Sequence, residues 1–325
     1  MSPLLSIIIP LYNTERYIDE CLSSIIDSDI AECEYEIIVI DDGSTDYSPT
    51  IVKSYCVKHP NIFLFRQDNQ GVSIARMNGI SLAKGSYIWF IDSDDYLEPN
   101  ALKKMLHIIT EHPVDLIVNP LILQYENGLR VLYNSEHCQQ EGDIMGKQFL
   151  QRTPVSICPP QFVFKKDLIK HPALYFPKEI RHEDEYFCRV LQYISTKAFI
   201  SSTPLYVYRQ WGGSYMKVSG IQSLYDMVSI YRHLDRFEKE YVESQDRAWF
   251  HKDIINFLLG TYAWHPYMFG NKDFSSFRTQ YGSYIIGEFS KSLKLFSIKE
   301  RILGMLLLLS PRLHRFLLDK RRKIK

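Results

Sequence analysis

Over the first 120 residues the apolar positions fall into short continuous runs, separated by stretches in which they recur every three or four residues. The runs span Leu4 to Ile9, Glu36 to Ile40, Ile62 to Phe65, Tyr87 to Ile91 and Asp115 to Val118. Each is rich in β-branched and aromatic residues and has the length of a buried strand. Between them Ile18, Cys21, Leu22, Ile25 and Ile26 repeat at helical spacing, as do Ile51, Val52, Tyr55 and Cys56. A third helix is expected from Ser73 to Lys84, with Gly85 as its stop. Strands that alternate with helices imply an open, mainly parallel, Rossmann-like α/β sheet with crossover helices.

Farther along, Phe187, Val190, Leu191 and Ile194 form a helical stripe behind Glu183 and Asp184. Past Ser214 the pattern is helical throughout: Leu224, Met227, Val228, Tyr231 and Leu234 share one face, and a second apolar helix covers Ile254 to Trp264. Such stripes are more often core than binding site. A boundary near residue 215 is expected, with an α/β domain over 1–215 and a helical extension over 216–325.

Composition changes the picture mainly by exclusion. A hydrophobic content of 46% in 325 residues suits one large or two ordinary globular domains. The 38 basic and 38 acidic residues cancel, so no overall field favours nucleic acid as a partner. Cys21, Cys33, Cys56, Cys138, Cys158 and Cys188 show no close pair and no paired histidine spacing, which speaks against zinc or a disulfide framework and for reduced thiols. The opening MSPLLSIIIPLYN has no basic leader and is broken by Pro10, so a cytoplasmic location is expected.

The chemistry concentrates where strands end. In open α/β sheets ligands bind beyond the carboxyl ends of the strands, and there IVIDDGSTD puts Asp41 and Asp42 while WFIDSDD puts Asp92, Asp94 and Asp95. Crowded carboxylates repel one another unless a cation or hydrogen-bond donors compensate. A divalent ion, Mg2+ or Mn2+, answers this: such ions take one or two carboxylates and complete their shell with substrate phosphates. On these residues alone, an equal reading is a solvated turn or a cap for a helix starting near Pro99.

The order of the motifs separates the two readings. IIIPLYN, IVIDDGSTD, DNQGVSIARMNGI, YIWFIDSDDYLEP, RHEDEYFCRVL and LYVYRQWGGS follow one another along the chain, and together they resemble family 2 of the glycosyltransferases, with the GT-A fold, from about Ser6 to Ser214. The resemblance implies that Pro10, Tyr12 and Asp42 hold the base and ribose of a nucleotide-diphosphate sugar donor. Asn69 and Arg76 would lie near the nucleoside and phosphates. Asp92 and Asp94 would form the DxD, with Asp94 as metal ligand and Asp92 and Asp95 close to ribose and sugar. Asp184 of HED would be the general base, with Glu183 as its alternate. A carboxylate base and no required protein nucleophile suggest direct displacement with inversion. Arg209, followed by Gly212, Gly213 and Ser214, would suit a mobile phosphate clamp, or a surface ion pair. Where the family commonly has ARNxG this chain has Met77, so any polar contact at that position is in doubt. The acceptor class the resemblance suggests is a saccharide or lipid-linked saccharide of cell-surface polysaccharide.

Other chemistries fit less well. HEDEY has Tyr186 where a zinc protease needs its second histidine, and neither GxGxxG nor a P-loop occurs. Tyr96 stands where an aspartyl-phosphate phosphatase would carry Thr or Val, and PLYNTERY is not the Gly-rich basic loop of a sugar nucleotidyltransferase. A noncatalytic sugar- or lipid-binding protein on the same fold stays open as the alternative.

From Lys291 to Lys325 eleven basic residues face two acidic ones, a local charge of +9, which leaves −9 on the rest. Within this stretch ILGMLLLLS is too short to span a bilayer, which takes roughly 20 apolar residues, and is expected to lie in the interface of an anionic membrane. The competing reading is that the Leu run packs on the protein and the basic end is a solvated tail.

Overall fold

The computed structural model describes residues 2–26, 30–133, 138, 141–152, 158–210, 221–268 and 271–309. Two compact units emerge, one from the described residues of Met1–Glu179 with Glu183–Ser214, the other from those of Ile180–His182 with Tyr215–Lys325.

The first unit opens with alternating strands and helices: β1 (Leu5–Leu11), α1 (Ile18–Ile26), β2 (Tyr35–Asp41), α2 (Ser48–Lys58), β3 (Ile62–Arg66), α3 (Val72–Leu82) and β4 (Tyr87–Phe90). Then come β5 (Tyr96–Leu97), α4 (Ala101–Glu111), β6 (Leu116–Val118), β7 (Leu121–Tyr125), β8 (Arg130–Tyr133), β9 (Gly142–Ile144) and α5 (Gly146–Arg152). β10 (Phe162–Lys165), α6 (Glu183–Ile194), β11 (Ala198–Ile200) and β12 (Tyr206–Gln210) complete it. The main sheet has the order β3-β2-β1-β4-β10-β6-β11-β9, and a smaller one runs β5-β12-β7-β8. β3, β2, β1 and β4 are parallel, whereas β10 lies antiparallel to both β4 and β6. Chain order reverses direction between β1 and β4, which is where an open sheet of this kind forms its ligand crevice.

Both faces of the sheet are covered, which is why its central strands read as unbroken apolar runs. Leu5, Ile7, Ile9 and Leu11 cluster with Ile18, Cys21, Leu22 and Ile25 of α1 and with Leu102, Met105 and Ile109 of α4, all buried. On the other face α3 comes so close to β1 that a Cβ at Gly79 would lie 2.3 Å from the Ile8 side chain. Phe90, Phe164, Phe176 and Phe187 pack edge-on and stacked under α3 and α6, with Phe176 and Phe187 parallel at 3.9 Å.

Two sequence expectations change here. β1 runs on through Pro10 to Leu11, paired with β2 as far as Leu11 opposite Asp41. The third helix ends at Leu82 with Ala83 as its cap, so Gly85 is not the stop. Gly85 is required for closeness instead: a Cβ there would lie 2.5 Å from the Ser6 amide nitrogen. Beside it the buried Glu36 carboxylate accepts from Ser6 Oγ (2.6 Å), Lys84 N (2.5 Å) and Gly85 N (3.2 Å).

The second unit is helical: α7 (Gln222–Tyr241), α8 (Arg247–Met268), α9 (Asn271–Lys291) and α10 (Ile298–Leu309). Of the stripe read from sequence, Leu224, Val228, Tyr231 and Leu234 are buried and Met227 is half-buried. Ser297 and Glu300 form a reciprocal capping box at the start of α10: Ser297 N donates to Glu300 Oε2 (2.7 Å) and Glu300 N to Ser297 Oγ (3.3 Å). The expected interfacial run ILGMLLLLS is divided rather than wholly free. Leu307 and Leu308 are buried, and Gly304 sits so close to the Phe289 ring that a Cβ would lie 2.3 Å from it. Among the described residues no helix is long and apolar enough to cross a membrane.

Candidate active site

The carboxyl ends of β1, β2, β3 and β4 share one edge of the sheet, and the loops that leave them are laced together. Asn13, held at φ 52°, takes the Thr45 amide on its Oδ1 (2.8 Å) and donates its own amide to Ser44 Oγ (3.1 Å). Asp42 is buried at the end of β2, where its Oδ1 accepts from Gln67 Nε2 and Gln70 N and its Oδ2 from Gly71 N, each at 2.8 Å. Its carboxylate thus shapes the loop that presents the exposed Asn69. Asn78 donates to Gln67 Oε1 (2.7 Å), so a polar contact beside the divergent Met77 is made by its neighbour. Pro10 is half-buried on β1, and Tyr12 just beyond it is 49% exposed.

The DSDD turn follows β4. Asp92 and Asp94 keep partial exposure, whereas Asp95 is fully buried. Asp95 accepts from Tyr206 Oη and from the Arg209 amide (2.8 Å), both on β12. It faces inward and fastens the turn. Burial, with Asp94 and Asp92 close by, pushes its carboxyl well above the usual carboxylate range. Tyr206 Oη also accepts from the Asp92 amide (3.2 Å), so one hydroxyl ties both ends of the turn.

Arg209, read from sequence as a phosphate clamp or a surface ion pair, is engaged with protein groups. It sits on β12, where its Nε donates to the Asp94 carbonyl (2.9 Å) and an outer nitrogen to Glu20 Oε2 (2.8 Å). The rings of Tyr17, just before α1, and Tyr96, on β5, lie 5.0 Å from its guanidinium carbon. The Gly212, Gly213 and Ser214 part of that expectation lies outside the described residues.

Arg76 binds the two halves of the acidic constellation. It is 5% exposed and donates to Asp92 Oδ1 (2.9 Å) and to Glu183 Oε1 (2.8 Å), with Phe176 at 5.3 Å and Phe90 at 5.9 Å from its guanidinium carbon. Burial alone would favour the neutral form; Asp92 and Glu183 outweigh it and hold the charge. The sequence resemblance puts Arg76 near the nucleoside and phosphates; in this structure its outer nitrogens are engaged by protein carboxylates. Next along α6, half-buried Asp184 has its Oδ1 on the Glu185 amide (3.0 Å). Burial, then Glu183 and Glu185, raise its carboxyl well above the usual range, with Arg76 opposing.

Tyr206, Glu20, Tyr17 and Phe176 take part in this arrangement and were not singled out by sequence reading, and Tyr96 was read only as evidence against a phosphatase. The alternation of Tyr206 and Tyr208 in LYVYRQ marks a strand face, but nothing in the string names its partner. No group of three or more His, Cys, Asp and Glu among the described residues is arranged to hold a metal. The donor set still fits Mg2+ or Mn2+, which need only one or two protein carboxylates when phosphates supply the rest. The mutual influence of Asp92, Asp94 and Asp95 on this turn is the excess of negative charge such an ion would relieve.

The sequence profile of glycosyl transferase family 2 matches residues 6–171. The chain belongs to this family. EpsH of Bacillus subtilis is 30% identical over 214 residues, 64% of this chain and 61% of EpsH. TarS of Staphylococcus aureus, a poly(ribitol-phosphate) β-N-acetylglucosaminyltransferase, is 28% identical over 206 residues, 62% of this chain and 35% of TarS. The matched stretch thus spans less than two thirds of either relative. The crystal structure of TarS 1-349 with UDP superposes with a TM-score of 0.68 at 22% identity, covering 99% of this chain and 92% of that one. The mannosyltransferase PcManGT of Pyrobaculum calidifontis, in complex with GDP-Man and Mn2+, gives 0.53 at 16% identity, covering 96% of this chain and 88% of that one. Membership and these superpositions give the chain the GT-A fold, in which the DSDD turn follows β4 and Asp184 lies in the first turn of α6.

Proposed function

We propose that this family 2 chain moves a glycosyl group from a nucleotide-diphosphate sugar to an acceptor hydroxyl, with inversion at the anomeric carbon. The observation that carries this reading is Arg76, which joins the Asp92 carboxylate of the metal-and-phosphate pole to Glu183 beside the basic carboxylate Asp184. The donor's charged end and a proton acceptor are thereby presented together. In the reaction the acceptor oxygen attacks the anomeric carbon while Asp184 takes the hydroxyl proton. The bond from that carbon to the β-phosphate oxygen breaks, and its electron pair leaves on the nucleoside diphosphate. Asp94, with Asp92 alongside, would hold Mg2+ or Mn2+, whose chemistry is to neutralise charge on the departing diphosphate. Tyr12 and Asn69, exposed at the strand ends, are the side chains offered to the nucleoside. A general base typically contributes about 10²- to 10⁴-fold, which sets the scale of loss expected without it.

The acceptor we infer is a saccharide, free or lipid-linked, of cell-surface polysaccharide; the similarity to TarS, a poly(ribitol-phosphate) β-N-acetylglucosaminyltransferase, supports this class. We infer a cytoplasmic location, in part at the inner face of the cell membrane. The deciding experiment offers a panel of nucleotide-diphosphate sugars with Mn2+ and membrane-derived or soluble glycan acceptors, and reads nucleoside diphosphate release. Acceptor-stimulated release with one donor, reduced on the order of 10²-fold or more in Asp184→Asn, is expected. Saturable donor binding with no release under any acceptor would favour a noncatalytic binding protein, and pyrophosphate formation from a sugar phosphate would favour a nucleotidyltransferase.

A further inference from the structure

The helix α10 shows two different apolar faces. Gly304, Leu307 and Leu308 are buried within the helical unit, where Tyr262 Oη reaches the Leu308 carbonyl (3.5 Å). Ile298, Ile302, Met305 and Leu309 are 75%, 56%, 46% and 70% exposed. Their spacing of i, i+4, i+7 and i+11 puts all four within a sector of roughly 60° on a helix that turns 100° per residue. A helix that had only to close the core would carry polar residues on that face. Four large apolar side chains in one unbroken line are not the scattered exposure that is usual on a protein surface.

Charge says what covers the stripe. On the same helical projection Lys299 and Arg301 fall on opposite flanks of it, and exposed Lys294 lies just before the helix. Glu300, the acidic residue of the helix, is turned back to Ser297 and Lys252 and held well below the usual carboxylate range, at about 2. The sequence continues past Leu309 with seven further basic residues against Asp319 alone. An apolar line bordered by cations matches a surface that is greasy within and anionic at its rim. Headgroups and acyl chains of an anionic bilayer have that order, and a protein partner would have to reproduce both layers.

We propose that the exposed face of α10 is a membrane-docking surface: the Ile298–Ile302–Met305–Leu309 stripe lies in the acyl boundary of an anionic phospholipid bilayer, and Lys294, Lys299 and Arg301 engage its headgroups. The helix lies on the bilayer and does not cross it. This contact is independent of the glycosyl-transfer chemistry, since it involves none of the residues assigned to donor, metal or base.

Sedimentation of the full chain with sucrose-loaded vesicles tests this, using phosphatidylglycerol–phosphatidylcholine mixtures against pure phosphatidylcholine. Binding to the anionic vesicles at low salt, at least tenfold weaker with neutral ones and weakened by added salt, is expected. Ile302→Glu with Met305→Glu, both on the exposed face, should reduce binding at least tenfold and leave the thermal melt and donor binding unchanged. Ile302→Leu with Met305→Leu should bind like the parent chain. Vesicle binding that is unaltered by the glutamates, or absent from the parent chain, overturns the proposal. So does a sedimentation-velocity shift from dimer to monomer caused by the glutamates without any vesicle binding, which would give the stripe to a second copy of the chain.

Discussion

Arg76 is the residue on which the account turns, and its chemistry explains why lysine is no substitute. A planar fork can hold two carboxylates at fixed directions, whereas an ammonium is a single point of charge. Arg76→Lys is expected to keep donor KM within a few-fold and to lower kcat on the order of 10²-fold, the cost of a displaced reacting group. A parallel loss in donor affinity would make Arg76 a binding residue instead. Its charge also opposes the rise in the Asp184 carboxyl caused by burial, Glu183 and Glu185. The base works deprotonated, so activity should fall as pH drops through a value above the usual carboxylate range. In Arg76→Met the opposing charge is gone and that acidic limb should move to higher pH; a limb that stays put or moves down contradicts the assignment. At this scale the sequence was legible as far as residue type and order. Asp92, Asp94, Asp184 and Arg76 were all picked out by motif, but a string cannot tell that Arg76 spends its nitrogens on Asp92 and Glu183. Nor can it tell that Asp95 turns inward to Tyr206.

At the scale of elements, the parallel strands were legible because both faces of the sheet are buried and each strand reads as one apolar run. β10, which lies between β4 and β6 against their direction, carries no such signal of its partners, since FVFK would suit either orientation. Glu36 was missed as a fastening group because it looks like the polar start of a strand. It ties β1, β2 and the turn after α3 through three acceptor bonds. Glu36→Ala leaves the Lys84 and Gly85 amides and Ser6 without it, and is expected to cost about 1–3 kcal/mol in urea unfolding. A loss under about 0.5 kcal/mol would show that water replaces it.

The helical unit has its own titrating joint. His251 Nδ1 faces the Glu238 carboxylate (2.7 Å) and Nε2 faces Ser292 Oγ (2.8 Å), whose single hydrogen goes to the Glu288 carbonyl (2.8 Å). Both ring nitrogens must then donate, so the joint is made by the imidazolium. The hydrogen bond to Glu238 raises its pKa above the usual histidine value, against the effect of burial. A raised folded pKa means that this stability is fully present below about pH 6.5 and is lost as pH rises through the folded value. Hydrogen exchange in α8 should therefore speed up across that window in the parent chain and much less in His251→Gln. Equal acceleration in both would place the pH sensitivity elsewhere.

For the whole molecule, the chain order of its motifs carried more than any one of them. DSDD by itself reads equally as a turn, and one of its three carboxylates does fasten one: Asp95, bonded to Tyr206 and the Arg209 amide. What makes it a site is its position past β4, beside the reversal of chain order at β1, with the α6 carboxylates brought to it through Arg76. The helical unit was legible as helices, while the division of the Leu run between core and surface depended on which face Phe289 and Tyr262 would meet. We propose that Asp94 holds a divalent ion against the donor diphosphate, separately from the base. Isothermal titration of the parent chain with the preferred nucleotide diphosphate, in Mn2+ and in EDTA, addresses it directly when repeated on Asp94→Asn and Asp184→Asn. Binding that needs Mn2+, is lost in Asp94→Asn and stays within a few-fold in Asp184→Asn is the predicted result. Equal affinity in EDTA, or an Asp94→Asn variant that binds like the parent, would contradict it.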